Sequence, residues 1–386
     1  MPYHSPGALH IHSRYSDGTG EVDEIARTAA GAGLEWIGMT DHNTLDPSYR
    51  GFEGMRHGVA VLVGYEWTPV GPDGTQDGGD HMLVYGEAAV LGEVSVDPGL
   101  PPAEAIARLS RRGALTHLAH PDERRRPIRP DLRPLPWHDW SVRGFAGLEL
   151  WNYMSEWTER LTRRNMVFHA LMPNWRLCGP TDRLLAWWDR LNVPLDERDS
   201  AATGDSAATG GRFVGGPCLT VGVSGTDAHA HKVRFLGRNV TIFPYGDIFR
   251  GFTNYLLLPG PLPSEFEAAQ RAILDAIRDG RLYFANRRLG DALGLEFALR
   301  APGGNAAGPG EALAFSEGTA ACAWSPRPAT LRILRDGAEV ARGRGRTLAA
   351  AADRPGSYRL EARRFGEAWA YTNPAALLPG GPARSD

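Results

Sequence analysis

The sequence predicts an α/β domain built on a parallel sheet or barrel, followed by a small all-β domain of sandwich type. Three observations predict it. From residue 9 to about 290, short apolar runs alternate with amphipathic ones, the pattern of strands joined by crossover helices. The apolar runs are near-continuous, as in strands covered on both faces. After about residue 290 strand patterns follow one another between turn residues, and no helix of any length intervenes.

In chain order, LHIH reads as the first strand and VDEIARTAAGAGL as a helix ending at Gly33. WIGMTDH, VAVLVGYEW and HMLVYG are further strands. PPAEAIARLSRRG is a helix opened by proline and stopped by glycine. ALTHLAHP, GLELWN and LTVGVSGTDAH return to strand, RNVTIFPY follows, and EFEAAQRAILDAIRDG is a helix with a glycine stop. These make a first domain, 1–290. Within it DSAATGDSAATG writes a six-residue unit twice, and its small polar residues bury no core, so 199–211 is expected to be a flexible surface loop. In the second domain, 291–386, ATLRIL and AEVARG flank Asp336-Gly337 as a hairpin. GSYRLEARR alternates Tyr358, Leu360 and Ala362 against Arg359, Glu361 and Arg363, and FGEAWAYTNP is another strand. LLPGGPARSD reads as a frayed tail.

A chain of 386 residues has room for two domains and a large core. A net charge of -3 gives no reason to expect a polyanion-binding surface as the main business. No apolar run is long enough for a bilayer, and the first residues lack the layout of a secretory signal. Cys178, Cys218 and Cys322 are odd in number and far apart, which predicts no disulfide framework and a reducing, cytoplasmic setting. A metal site in this chain therefore has to be built from histidine and carboxylate.

The stretch LHIHSRYSDG supplies the first such residues. On a strand His10 and His12, two apart, share one face, with Leu9 and Ile11 on the other, and Asp17 follows in the loop. The next strands end in Asp41-His42, in Glu66, in His120, and in Asp227 with His229. His81 stands at the start of its strand and is the one exception. In a parallel barrel the carboxyl ends of the strands share the face where active sites lie. A lone histidine on an apolar strand is more often core than ligand. Nine nitrogen and oxygen donors at successive strand ends are hard to explain without a cation to pair them.

HIHSRYSDG, TDHN, GYE, AHP and SGTDAH, in this order, resemble the PHP (polymerase and histidinol phosphatase) metallohydrolases over roughly residues 8 to 245. AWWDRL ahead of SGTDAH, and GSYRLEARR with AWAYTNP near the end, resemble the narrower carbaryl-hydrolase-like group. The resemblance implies a distorted seven-stranded (β/α) barrel holding two or three divalent ions of zinc, manganese or iron. One ion would take His10, His12, Glu66 and Asp227; a second would share Glu66 and take His81 and His120; a third would take Asp17, His42 and His229. Asp17 stands where the family often has histidine, which makes the third site harder. Catalysis would centre on Glu66, Asp227 and His229, with a hydroxide held between two cations about 3.5–4 Å apart.

The expected reaction is hydrolysis of a phosphate ester of a small molecule or short nucleotide. Hydrolysis of a carbamate, carboxylic ester or amide is the alternative. A binding module with an inert barrel is the reading from another class. Arg14, Arg124, Asn152 and Lys232 are candidate substrate contacts, Arg124 with Arg125 and Arg126 in the run DERRRPIRP. Trp151, Tyr153 and Trp157 could form an aromatic wall, whereas Trp157, Trp187 and Trp188 at helical spacing read as core. Asp41 is expected to orient a histidine. The expected partner is a small ester, phosphate-containing by preference. Neither membrane nor nucleic-acid duplex is expected, and the oligomeric state is open.

Overall fold

The computed structural model describes residues 2–71, 74, 78–91, 97–124, 133–171, 177–193, 211–212, 218–235 and 238–380. Of the repeat loop expected at 199–211, only Gly211 lies within them, and Arg125 and Arg126 lie outside. The chain is a mixed α/β protein with one large sheet.

The first half of that sheet positions the site. Its strands are β1 (Tyr3–Ile11), β2 (Trp36–Met39), β3 (Gly54–Arg56), β4 (Val59–Val63), β5 (Tyr65–Trp67), β6 (Met82–Tyr85), β7 (Leu115–Leu118), β8 (Gly147–Asn152) and β9 (Val221–Ala228). β1 pairs in parallel with β2, and β2 with β4, which continues past Gly64 into β5. β5 and β7 each pair antiparallel with β6. β7, β8 and β9 then run parallel, and β9 pairs in parallel with β1. Followed from strand to strand, the pairings return to β1. The residues of β2, β4, β5, β6, β7 and β8 are buried along their whole length, which explains their near-continuous apolar runs.

The reversed direction of β6 accounts for His81. A strand running against its neighbours begins where they end, so a residue just before β6 stands at the carboxyl ends of β5 and β7. Ala119, one residue past β7, donates its N–H to the carbonyl of His81 at 3.0 Å.

Helices α1 (Val22–Gly31), α2 (Pro102–Arg111), α3 (Tyr153–Arg160), α4 (Asp182–Leu191), α5 (Tyr245–Phe249) and α6 (Phe266–Arg278) accompany these strands. Just beyond α1, α2 and α6 stand Gly33, Gly113 and Gly280, with φ of 75°, 87° and 66°, the left-handed caps that end helices at glycine.

The sheet leaves this ring through β10 (Phe252–Leu258), antiparallel to the first half of β1, and β11 (Leu282–Asn286), antiparallel to β10. After residue 290 come β12 (Glu296–Arg300), β13 (Ala320–Arg335), β14 (Ala338–Ala351), β15 (Gly356–Arg364), β16 (Glu367–Thr372) and β17 (Ala375–Leu378). Asp336 and Gly337 join β13 to β14 with φ of 50° and 81°, the paired positive φ of a tight hairpin turn. β16 pairs with β11, so hydrogen bonding continues across residue 290. Packing does too: Tyr255 and Tyr283 from β10 and β11 share one buried cluster with Leu331, Ile333, Tyr358, Leu360 and Trp369.

Candidate metal centre

The nine donors converge. Glu66 is their hub: its Oε1 lies 2.8 Å from His81 Nδ1 and 3.3 Å from His120 Nε2. Its Oε2 lies 3.2 Å from Nε2 of both His10 and His12, and 3.3 Å from His42 Nδ1. Asp227 Oδ1 stands 3.6 Å from His10 Nε2 and His12 Nε2, and 3.3 Å from His229 Nδ1. Asp17 Oδ1 stands 3.2 Å from His229 Nε2, 3.5 Å from His12 Nδ1 and 3.7 Å from His42 Nε2. Four sets bring their donor atoms within 4.8 Å of one another: His12–Asp17–His42–His229, His10–Glu66–His120, His10–His12–Asp227 and His42–Glu66–His81.

His10 and His12 reach the centre by a route that strand alternation does not give. The register of β1 slips between Leu9 and Ile11 against β9 and between Ala8 and Ile11 against β2, and His10 itself has φ of 64°. This bulge re-aims a side chain. It also separates the flanking residues: Leu9 packs with Trp36, Leu83 and Val223, whereas Ile11 packs with Ile37, Met39 and Val61. The two therefore do not form one layer behind the histidines, as alternation predicted. His120 and Asp227 also adopt positive φ, 31° and 50°. Such backbone is costly for these residue types and persists where the surroundings impose it, typically at functional sites.

The imidazoles are oriented from outside. His10 Nδ1–H donates to Glu149 Oε1 at 2.7 Å, His120 Nδ1–H to the carbonyl of Leu135 at 3.1 Å, and His229 Nδ1–H to the carbonyl of Asp227 at 2.9 Å. His81 is turned round: its Nε2–H donates to the carbonyl of Gly78 at 3.1 Å. Each ring so held keeps its other nitrogen for the centre, as metal-ligating histidines do. His42 Nδ1 meets Thr68 Oγ1 at 2.7 Å. His12 Nε2 is buried and makes no hydrogen bond.

The electrostatics fit cations. Burial opposes ionisation of Glu66, Asp227 and Asp17, yet Glu66 and Asp227 stay well below the usual carboxylate range because imidazoles surround them, and hydrogen bonds from His229 and His42 do the same for Asp17. Burial likewise opposes protonation of His10, but Glu149, Asp227 and Glu66 outweigh it and raise its pKa. His120, with Glu66 and Glu123 beside it, and His229, with Asp17 and Asp227, are raised to about 9 against burial. Burial and the neighbouring His229 hold His12 down to about 3. Three buried or half-buried carboxylates thus depend on positive charge at the centre. Divalent ions would supply it while leaving the imidazoles neutral and free to coordinate.

The candidate substrate contacts fare differently. Asn152 caps α3 by accepting the N–H of Ser155 at 2.8 Å, and its Nδ2 donates to Glu149 at 2.9 Å and reaches Asp227 Oδ2 at 3.5 Å. Arg124 is exposed and fixed by Glu159, its Nε donating at 2.9 Å, beside a small recess that His120, Glu149 and Asn152 also line. Arg14 is exposed and turns to Glu21, and Lys232 is exposed at the start of the Lys232–Phe235 strand; neither joins the centre.

Three further expectations need correction or addition. Asp41 touches no imidazole directly: its carboxylate accepts the N–H and hydroxyl of Ser13 and the hydroxyl of Ser16, each at 2.7 Å, and the Ser16 hydroxyl in turn lies 3.4 Å from His12 Nδ1. Trp151, Tyr153 and Trp157 form no open wall; all are buried and pack edge-on or tilted against Phe252 or Phe243. Glu149 was missed altogether. Its signal was visible as the one charge inside the apolar strand GLELW.

Residues 8–91 match the PHP domain family model. No curated protein matches the sequence. Among solved structures, a two-domain protein from Bacteroides vulgatus, described as containing a predicted PHP-like metal-dependent phosphoesterase, is similar at 11% identity over 97% of this chain and 95% of that one, with a TM-score of 0.43. A candidate metal-dependent phosphoesterase from Bifidobacterium adolescentis is similar at 17% identity over 65% and 96%, TM-score 0.31. An amidohydrolase from Chromobacterium violaceum, with bound sulfate and no metal, is similar at 16% identity over 62% and 92%, TM-score 0.30.

Proposed function

We propose that this chain is a metal-dependent hydrolase acting on a phosphate ester of a small molecule or short nucleotide. The observation that carries the reading is Glu66, one buried carboxylate within 3.3 Å of five imidazoles, His10, His12, His42, His81 and His120. Its Oε2 faces His10 and His12 and its Oε1 faces His81 and His120, which suits a carboxylate shared by two cations. His10, His12 and Asp227 would complete one position, His81 and His120 a second, and Asp17, His42 and His229 a third. When bound, divalent cations there supply Lewis acidity and a source of hydroxide near neutral pH. Glu149 holds His10 in the tautomer that presents Nε2, and Asn152, fixed as a helix cap, offers an amide N–H beside Asp227 where an ester oxygen could be received. Arg124, held by Glu159 at the rim, can pair with a phosphate oxygen. A donor set of nitrogen and oxygen without sulfur fits zinc, manganese or iron.

We further read the cycle of pairings from β1 back to β1 as the distorted seven-stranded barrel, with residues 291–386 as the β domain of a carbaryl-hydrolase-like layout. The scattered cysteines favour a cytoplasmic setting. Carbamate hydrolysis, the alternative, draws on the carbaryl-hydrolase resemblance and on a tryptophan-rich face; the burial of Trp151, Tyr153 and Trp157 takes away the second support.

Elemental analysis of the purified protein and turnover of p-nitrophenyl phosphate with Mn²⁺ or Zn²⁺ test the proposal. Chelator-sensitive phosphate release is expected. Cleavage of 1-naphthyl methylcarbamate without release of phosphate from any ester would replace it with the carbamate reading.

A further inference from the structure

The overall charge of -3 hides a segregation. The three adjacent strands β13, β14 and β15 carry nine arginines against two glutamates. Cross-strand pairing sorts them by face. Arg342 pairs with Arg332, and Arg332 with Glu361; Arg344 pairs with Thr330, and Thr330 with Arg363. Directly paired residues lie on the same side of a sheet, so Arg332, Arg342, Arg344 and Arg363 share one face. Leu331, Ile333, Leu360 and Ala362 occupy the other face and are buried. Arg342 and Arg344 are exposed.

This face is the wall of a large cavity. A space of about 1100 Å³ lies between α4 and the sheet, lined by Arg124, Arg190, Arg332 and Arg363, with the carboxylates of Glu159, Asp182, Asp189 and Glu361 among them. The small recess beside His120 and Asn152 shares Arg124, Glu159, Gly179 and Thr181 with it, so the cavity adjoins the recess next to the candidate metal centre. Its walls are fixed to each other: Arg359 of β15 donates to both carboxylate oxygens of Asp189 of α4, at 2.6 and 2.8 Å.

Resting on the phosphoesterase reading, we propose that this cavity and the arginine face beyond it bind further phosphate groups of the substrate, away from the ester that is cleaved. The substrate then carries several phosphates, one at the metal centre and others on Arg363 and Arg344, whereas Arg332 is held by Glu339 and Glu361 at 2.6 and 2.9 Å. Arg344 and Arg363 flank Thr330 from the two neighbouring strands, about 9–10 Å apart, and each guanidinium can fork onto a phosphate. The β domain becomes the part of the molecule that selects substrate length and charge.

The test is fluorescence anisotropy on the full chain, kept metal-free with chelator, using fluorescein-labelled hexathymidylate as a probe with regularly spaced phosphates. Fluorescein-labelled hexaglutamate serves as a polycarboxylate control. Arg344→Ala, at an exposed edge-strand position, and Arg363→Ala should each weaken binding of the phosphate probe about 10-fold, as expected for a charge-assisted hydrogen bond. Each should also flatten the dependence of log K on log salt by about 0.7. Unchanged affinity and slope in both variants, or hexaglutamate bound as tightly as hexathymidylate, overturns the proposal. Arginine-dependent binding in a protein that turns over no phosphate ester upholds the surface and sinks the phosphoesterase reading instead.

Discussion

Glu149 Oε1 lies 2.7 Å from His10 Nδ1, and neither side chain reaches solvent. The same carboxylate accepts the backbone N–H of His120 at 2.6 Å and the Nδ2–H of Asn152 at 2.9 Å. One acid on β8 therefore fixes a donor from β1, one following β7 and the cap of α3. Gly225 makes room for it: a Cβ there would sit 1.5 Å from Glu149 Oε1. Glu149→Gln keeps the shape but replaces one acceptor oxygen by an amide donor, so at least one of the three N–H groups faces another donor. Metal affinity should fall about 10- to 100-fold, read by competition with a chromogenic chelator. Unchanged affinity would show that Glu149 does not orient His10.

Glu66 and Asp17 should not be equivalent. Glu66 is sealed among five imidazoles, whereas the Asp17 side chain is 52% exposed and its closest imidazole contact, to His229, is 3.2 Å. Glu66→Gln should lower turnover of p-nitrophenyl phosphate by about 10³-fold and release bound metal. Asp17→Asn should cost about 10-fold and leave most of the metal in place. Equal losses in the two variants would move the shared carboxylate elsewhere.

The residue types of the centre were legible because chemistry restricts them: imidazoles and acids at the ends of apolar runs have few uses. Their geometry was less legible, because it depends on partners distant in sequence. His81 looked misplaced until β6 proved to run against β5 and β7, and strand direction is a property of pairing. Alternation puts His10 and His12 on one face of an ideal strand, but the bulge at His10 comes from the different registers of β9 and β2. Asp41 stands beside His42 in sequence and yet serves Ser13 and Ser16. Trp151, Tyr153 and Trp157 could not be assigned to wall or core without Phe243 and Phe252, which follow nearly a hundred residues later.

Stability should respond to pH through Glu156. Burial pushes its carboxyl up to about 7, against the opposing hydrogen bonds from Trp151 and the N–H groups of Cys178 and Gly179 and the charge of Arg160. A carboxyl raised in the folded state binds its proton more tightly there than in the unfolded chain. Its contribution is therefore fully present below about pH 4.5 and is lost as pH rises towards 7. In urea denaturation of the chelated protein, Glu156→Gln should gain stability relative to the parent across that window and level off above it. A difference that stays flat from pH 4.5 to 7 would mean that Glu156 is ionised throughout.

The β domain should be needed for the ring to fold. Two buried asparagine amides complete the edge of β9 beside its pairing with β8. Asn254 Oδ1 accepts the N–H of Ser224 at 2.9 Å and its Nδ2 donates to the carbonyl of Ser224 at 2.7 Å. Asn373, beyond β16, does the same for Gly222 at 2.7 and 2.8 Å. These contacts stand where β1 does not reach, since its pairing with β9 begins at Leu9 and Gly225. Asn373→Ala leaves the N–H and C=O of Gly222 buried without partners, and should cost about 2–3 kcal/mol in urea denaturation. A chain ending at residue 290 loses Asn373, the pairing of β16 with β11 and the cluster around Tyr255 and Tyr283 together. It should show no cooperative unfolding and bind no metal, because β9 carries Asp227 towards the centre. A truncated chain that unfolds cooperatively and retains metal would make the β domain an appendage.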